Sequence, residues 1–245
     1  MAENETNGGG HESETAYGRF HRRVLEGRAA LFAVATTVAI SIGGIVEIVP
    51  MFTASMGPEV RAEVTPYTPL EVAGRDIYTR EGCYLCHSQM VRPMRAEILR
   101  YGEWSRAWEY QYDRPFQLGS RRLGPDLHRV GGKYPDAWHY EHMRDPRATS
   151  PGSVMPAYAW LLDWTVDPAD ITRSVRALAA LGTPYESTDE DWVRSQMQSQ
   201  GEAIVSTLAQ TGIETTWDRE IIAMIAYLQR LGQDGNAVFR AEGGQ

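Results

Sequence analysis

The pattern of apolar positions along the chain changes character once and then keeps a helical period. From Ala29 to Val46, "AALFAVATTVAISIGGIV" runs for eighteen residues without a charge, and "IVPMF" extends it past Glu47. That length suffices to cross a bilayer as a helix. Further on, Gly74, Ile77 and Tyr78 share one side of a short helix running toward Cys83, and Asp136 precedes "AWHYEHMRDP", a helix stopped before Pro146. Asp167-Pro168 with Asp170 starts a helix striped by Ile171, Val175, Leu178 and Leu181 and closed by Gly182 and Pro184. Thr188 with Asp191 starts another, carrying Val193, Met197, Ile204 and Leu208. Thr215, Thr216 and Asp218 open the last, with Ile221, Ile225 and Leu228 on one face and Gly232 at its end. Strand-like alternation is scarce, so the expected class is all-α.

Charge sets the topology. Arg19, Arg22, Arg23 and Arg28 precede the apolar run, whereas residues 53–72 carry only Arg61 among Glu59, Glu63 and Glu71. The positive-inside rule keeps the N-terminus in the cytoplasm and sends the rest across the membrane. The run is too long and starts too late for a signal-peptide core, and no A-x-A site follows, so an uncleaved anchor is expected. The expected segments are a polar cytoplasmic tail (1–28, its first 18 residues disordered), a transmembrane anchor (29–52), a Pro-rich linker (53–72), a folded outer domain (73–232) and a flexible tail (233–245). Within the anchor, Ala35, Ala39, Gly43 and Glu47 recur every fourth residue, a ridge of small side chains suited to close helix packing. The alternative is that Glu47 snorkels to the headgroups. With 24 Lys plus Arg against 32 Asp plus Glu, the chain is not built for nucleic acid.

"REGCYLCHSQM" holds both cysteines of the chain, Cys83 and Cys86, with His87 directly after the second. A zinc site would need further thiols or closely spaced histidines, and a thioredoxin-like pair would need a βαβ context. With histidine attached, the spacing reads as c-type haem attachment: two thioether bonds to the porphyrin, and an imidazole reaching the iron from one side. Such attachment in bacteria takes place on the outer side of the inner membrane, so motif and charge bias agree on a single-pass, periplasmic cytochrome holding one covalent haem c.

Several landmarks resemble a class I cytochrome c domain. Gly74 and Tyr78 resemble its first helix and "AYLQRL", Ala226 to Leu231, its last; these two pack across each other in that family. "GPDL", Gly124 to Leu127, is similar to the loop whose proline carbonyl holds the proximal imidazole, which implies Pro125 on His87. "MPAY", Met155 to Tyr158, is similar to the loop carrying the second axial ligand, which implies Met155 rather than Met90, Met94 or Met143. A thioether in that position disfavours a haem sensor. His139 and His142 read as surface or interface residues.

Two stretches exceed a compact cytochrome: 36 residues between His87 and Gly124, and about sixty from Met155 to the last helix. The insert Ser88 to Leu123 carries seven arginines against four acidic residues, with six aromatics interleaved. Haem propionates, headgroups or a partner subunit would suit it; a self-packed cover over the haem edge is the other reading. With "VEIVPMF", "EGCYLCHSQMVRP", "YDRPFQLGSRRLGPDL", "WHYEHMRDPR" and "VMPAYAWL" in order, the chain resembles the CcoO/FixO family from about Arg19 to Gly232. These are the mono-haem subunits of cbb(3)-type cytochrome c oxidases. The resemblance implies an electron relay from a di-haem cytochrome c subunit to haem b of the catalytic haem-copper subunit, where oxygen is reduced. A small accessory membrane subunit is a further implied partner. An independent membrane-anchored electron carrier is the alternative.

Overall fold

The computed structural model describes residues 15–53, 61–119 and 121–243, and divides into two compact units, Met1–Gly57 and Pro58–Gln245. In the first unit, Thr15 caps α1 (Ala16–Phe20), a π-helical stretch follows at His21–Glu26, and α2 spans Ala29–Thr53. Within α2, Ala29–Val49 is long and apolar enough to cross a membrane, and none of that span is buried. The Thr37 hydroxyl donates back to the Ala33 carbonyl at 2.9 Å, so this polar group needs no water. The disordered start expected for residues 1–18 meets a helix from Ala16 onward; residues 1–14 lie outside the described residues.

The second unit is built on two crossing helices, α3 (Pro69–Arg80) and α9 (Glu220–Arg230). Thr68 and Glu71 form a reciprocal capping box with Pro69 in the first turn, which fixes where α3 starts. Gly74 fixes where the helices cross: a Cβ there would overlap the Ala223 carbonyl and come within 2.6 Å of Tyr227 Cβ. Tyr78 and Tyr227 pack ring to ring at 5.4 Å beside the crossing. Between these helices in sequence lie α4 (Arg95–Tyr101), α5 (Asp136–Arg144), the single turn α6 (Pro146–Thr149), α7 (Pro168–Ala180) and α8 (Glu190–Ala209). The faces of α7 and α8 carrying Ile171, Val175, Leu178, Val193, Met197 and Leu208 join α3 and α9 in one core. No strand occurs among the described residues, and the all-α class holds.

The helix ends differ from the sequence reading in small ways. Leu181 is the C-cap of α7 and is 64 % exposed rather than part of its stripe. The N-cap position of α8 is Asp189, one residue after Thr188, with no side-chain bond into the first turn, and the Thr188 carbonyl accepts from Arg176. α9 starts at Glu220, because Asp218 is occupied by the Thr216 hydroxyl and by a backbone bond from Val166.

Two boundaries are corrected. The expected tail 233–245 contains α10 (Gln233–Ala241), and the expected linker is folded from Arg61 onward. Val64 of that linker, Val238 of α10 and Trp108 of the insert form a second small core, with the Phe239 ring tilted against Trp108 at 5.9 Å. Asp234 adds an ion pair to Arg230 and accepts from the Thr65 amide at 2.9 Å. Gly232, at φ +75°, turns the chain from α9 into α10. A periodic pattern does not mark these segments, because α10 is short and buries only Gly235 and Val238, and the linker reaches Val64 in irregular backbone before α3 begins.

Candidate functional site

Gly82, in the left-handed region at φ +70°, ends the path from α3 and starts a 3-10 turn over Cys83–Leu85. The amides of Cys86 and His87 both donate to the Cys83 carbonyl, at 3.1 and 2.9 Å, so one turn carries both thiols and the imidazole. The cysteines are unpaired, Cys83 half-buried and Cys86 exposed. Burial pushes the Cys83 thiol up to about 12, so it is a poor spontaneous nucleophile at neutral pH. Among the described residues no group of three or more His, Cys, Asp or Glu side chains is arranged to hold a metal ion.

His87 Nδ1 lies 2.8 Å from the Pro125 carbonyl. A carbonyl only accepts, so Nδ1 carries the hydrogen and Nε2 keeps its lone pair. Burial lowers the pKa of this ring, outweighing the bond to Pro125 and the charge of Asp126, which favours the neutral form. Gly124 lies flat on the imidazole: a Cβ there would overlap Cε1 and come within 2.7 Å of Nδ1 and 2.8 Å of Nε2. The surrounding backbone is sewn together by Gly124 N to Cys86 O (3.0 Å), Leu127 N to Ser88 O (2.8 Å) and Gln89 N to Leu118 O (2.7 Å). Gly119, at φ +62°, lets this strand of chain pass the His87 carbonyl, which a Cβ would meet at 2.6 Å.

Met155 is half-buried and packs against the same core cluster as Cys83, Leu127 and Tyr158. Its segment is anchored to α5 by the Tyr158 amide donating to the Met143 carbonyl at 2.8 Å. Among the other candidates, Met143 is buried in the core, Met94 is exposed at the N-cap of α4, and the Met90 amide is tied to Asp126. His142 stacks on Trp138 at 4.4 Å, and Trp138 on Tyr134 at 4.1 Å. His139 is not a surface residue: it is 2 % exposed, because it sits on the face of α5 that also buries Met143. Burial lowers its pKa to about 4.

The arginines of the insert are mostly spent within it. Arg92 and Arg122 both pair with Glu97, and Arg106 lies over the Trp104 ring at 3.2 Å. The neighbouring Arg129, just past the insert, grips Glu109 with both terminal nitrogens at 2.5 and 2.8 Å. Trp108 is buried in the second core, which removes it from any outward-facing surface. An open hollow of about 390 Å³ remains beside the loop, with Arg100, Tyr101, Arg122 and Pro125 in its wall.

Sequence reasoning named Cys83, Cys86, His87, Pro125 and Met155; it missed what holds them. Asp126, Ser88, Arg122 and Glu97 carry no periodic signal, since three are isolated polar residues in loops and the fourth lies on a two-turn helix. A family model described as cytochrome c oxidase, mono-heme subunit/FixO, matches residues 22–234. No curated protein matches the chain closely. That match covers most of the sequence and contains the Cys83–Cys86–His87 turn, the Pro125 loop and the crossing of α3 with α9, and on it the chain belongs to the FixO family of mono-haem cytochrome c oxidase subunits.

Proposed function

We propose that this chain holds one haem c through thioether bonds to Cys83 and Cys86, with His87 and Met155 as axial ligands. In this reading it relays electrons within a cbb(3)-type oxidase, from a di-haem cytochrome c subunit to haem b of the catalytic subunit. The observation that carries the reading is the His87 ring, whose Nδ1–H is committed to Pro125 and whose Nε2 is free to bind iron beside two unpaired thiols. Haem in such a site supplies a one-electron iron couple. The residues present fit it: Gly124 leaves the imidazole unobstructed, and Pro125 fixes ring orientation and tautomer, as partners behind a metal ligand do.

The protein's part is placement. A single uncleaved anchor holds the domain at the periplasmic face of the inner membrane, N-terminus in the cytoplasm, and the Ala35–Gly43 ridge with Glu47 gives the helix a face for close packing against the oxidase. The chain itself performs no oxygen chemistry; that belongs to the catalytic partner. After denaturing electrophoresis the purified chain should stain for haem peroxidase activity, since thioethers survive denaturant and axial bonds do not. Replacing both Cys83 and Cys86 by Ala should abolish the stain. Retention of the stain would overturn the attachment, and purification without any multi-helix oxidase would favour an independent carrier over a relay subunit.

A further inference from the structure

Three residues carry a buried chain of alternating charge that ends behind the candidate iron ligand. Asp126 follows Pro125 directly, and its side chain is completely buried, at 0 % exposure. One carboxylate oxygen accepts from the His128 amide at 2.9 Å. The other accepts from the Ser88 hydroxyl at 2.6 Å and from the Met90 amide at 2.9 Å. Ser88 and Met90 follow His87 in sequence, so one side chain fixes both halves of the contact: the strand that carries the imidazole and the loop that carries its acceptor. Such an arrangement spends a buried charge where a backbone turn alone would close the loop, and buried charges are costly unless they are paired.

The countercharge is Arg122. Its Nε donates to the Ser88 hydroxyl oxygen at 2.6 Å, and its Nη2 donates to the Met90 carbonyl at 2.8 Å and approaches Asp126 at 3.4 Å. Arg122 is in turn paired with Glu97 at 2.8 Å, and Glu97 also holds Arg92. Asp126 is fully buried, Glu97 is 8 % exposed and Arg122 between them 20 %, and the Arg122–Glu97 pair opens on the hollow beside α4. The insert is therefore wired to the loop behind His87.

We infer that Asp126 is a positioning residue that sets the reduction potential of the haem through His87 and Pro125, with Arg122 and Glu97 as its successive countercharges. The inference rests on the haem ligation proposed above. A buried negative charge beside the ligand stabilises the oxidised iron, and a firm Nδ1–H···O bond gives the imidazole more anionic character; both lower the potential. Arg122 opposes that charge, and Glu97 partly cancels Arg122. The sign of the effect should therefore alternate along the chain.

The test is spectroelectrochemical titration of the purified, haem-loaded protein and three charge-removing variants. Asp126→Asn should raise the potential, shifting the oxidised-to-reduced ratio at a fixed ambient potential about tenfold, or about 59 mV for one electron. Arg122→Gln should lower it, by a few-fold in that ratio, and Glu97→Gln should raise it by about twofold, since solvent screens the outer pair more. Loosening of the loop alone would move all three in one direction, so a common sign overturns the inference, as does an unchanged potential in Asp126→Asn. Should Asp126→Asn fail to accumulate, the opposed signs of the other two decide. Absence of covalent haem from the unsubstituted chain would instead overturn the proposed function, and the two failures are distinguishable on one gel.

Discussion

The two segments assigned to the haem iron are built in different ways. Around His87 the backbone of residues 86–89 is bonded to residues 118–127 by three amide–carbonyl contacts, and Asp126, Arg122 and Pro125 add side-chain and carbonyl ties. Around Met155 the ties are sparse. Its amide donates to the Ser153 hydroxyl at 3.2 Å, the Tyr158 amide reaches the Met143 carbonyl, and Val154 next to it is 80 % exposed. The imidazole half is preset by the protein's own hydrogen bonds, whereas the thioether half has freedom to settle onto a bound cofactor. Segments with few buried contacts open at low free-energy cost, so under the proposed ligation ligand exchange is expected on the Met155 side.

The comparison breaks first at Gly124. Gly124→Leu would drive a side chain into the His87 ring, since even a Cβ overlaps Cε1. The outcome expected is loss of nearly all low-spin haem-loaded protein, with misligated or unattached haem in its place, read from the absorption spectrum and the haem-stained gel. A native spectrum in that variant would mean that the imidazole half is as adaptable as the other.

Met155→Ala should have a smaller and more local effect. The cytochrome should still be made and attached, because the His87 half does not depend on Met155. Its potential should fall by a fraction of the roughly 0.8 V span that axial ligands command, and the iron should gain an open position for carbon monoxide. An unchanged methionine-to-iron charge-transfer band would reassign the ligand to Met90, Met94 or Met143.

The sequence disclosed the parts of this site that are made of rare residues or of period. Two cysteines and a histidine at fixed spacing are chemically eloquent, and the long helices α7, α8 and α9 advertise themselves through stripes such as Ile171, Val175 and Leu178. Gly74 and Tyr78 could be placed because a family resemblance supplied their partner helix. What stayed hidden was long-range and polar. Asp126 closes bonds to Ser88 and Met90 nearly forty residues away, and no local pattern marks that. Trp108 lies in a stretch rich in arginine, yet it is buried with Val64 and against Phe239 of a helix whose short sequence, "QDGNAVFRA", reads as a tail. Much of the insert's charge is met from within it: Arg92 finds Glu97 and Arg106 finds Trp104 close by in sequence, while Arg122 reaches back 25 residues to Glu97.

The smallest effect concerns how the preset half is fastened to the second core, and it is a matter of pH. Glu109 sits under the end of the proline loop, where Arg129 grips it and His128 donates Nε2–H to it at 3.0 Å. α10 reaches this cluster because Gly235 has no side chain; a Cβ there would overlap the Glu109 carboxylate. Burial alone would raise the Glu109 pKa, but the hydrogen bonds from Arg129 and His128 outweigh it and hold the group at about 2, against an ordinary value of 4.5. The unfolded chain therefore takes up this proton before the folded one does. The stabilisation is fully present above about pH 4.5 and is lost as pH falls toward 2. At about 1.4 kcal/mol per pH unit it amounts to about 3 kcal/mol. Glu97, also held at about 2 by Arg122, adds in the same window. Glu109→Gln should cost about 3–5 kcal/mol at pH 7, because Arg129 is left buried without its anion. The same variant should lose a matching share of the acid-induced loss between pH 4.5 and 2, as read by denaturant unfolding of the haem-loaded protein. Haem absorbance should report loosening of the His87 half in that range before bulk helix content falls. Full acid sensitivity in Glu109→Gln would place the responsible carboxylate elsewhere and detach the preset half of the site from the second core.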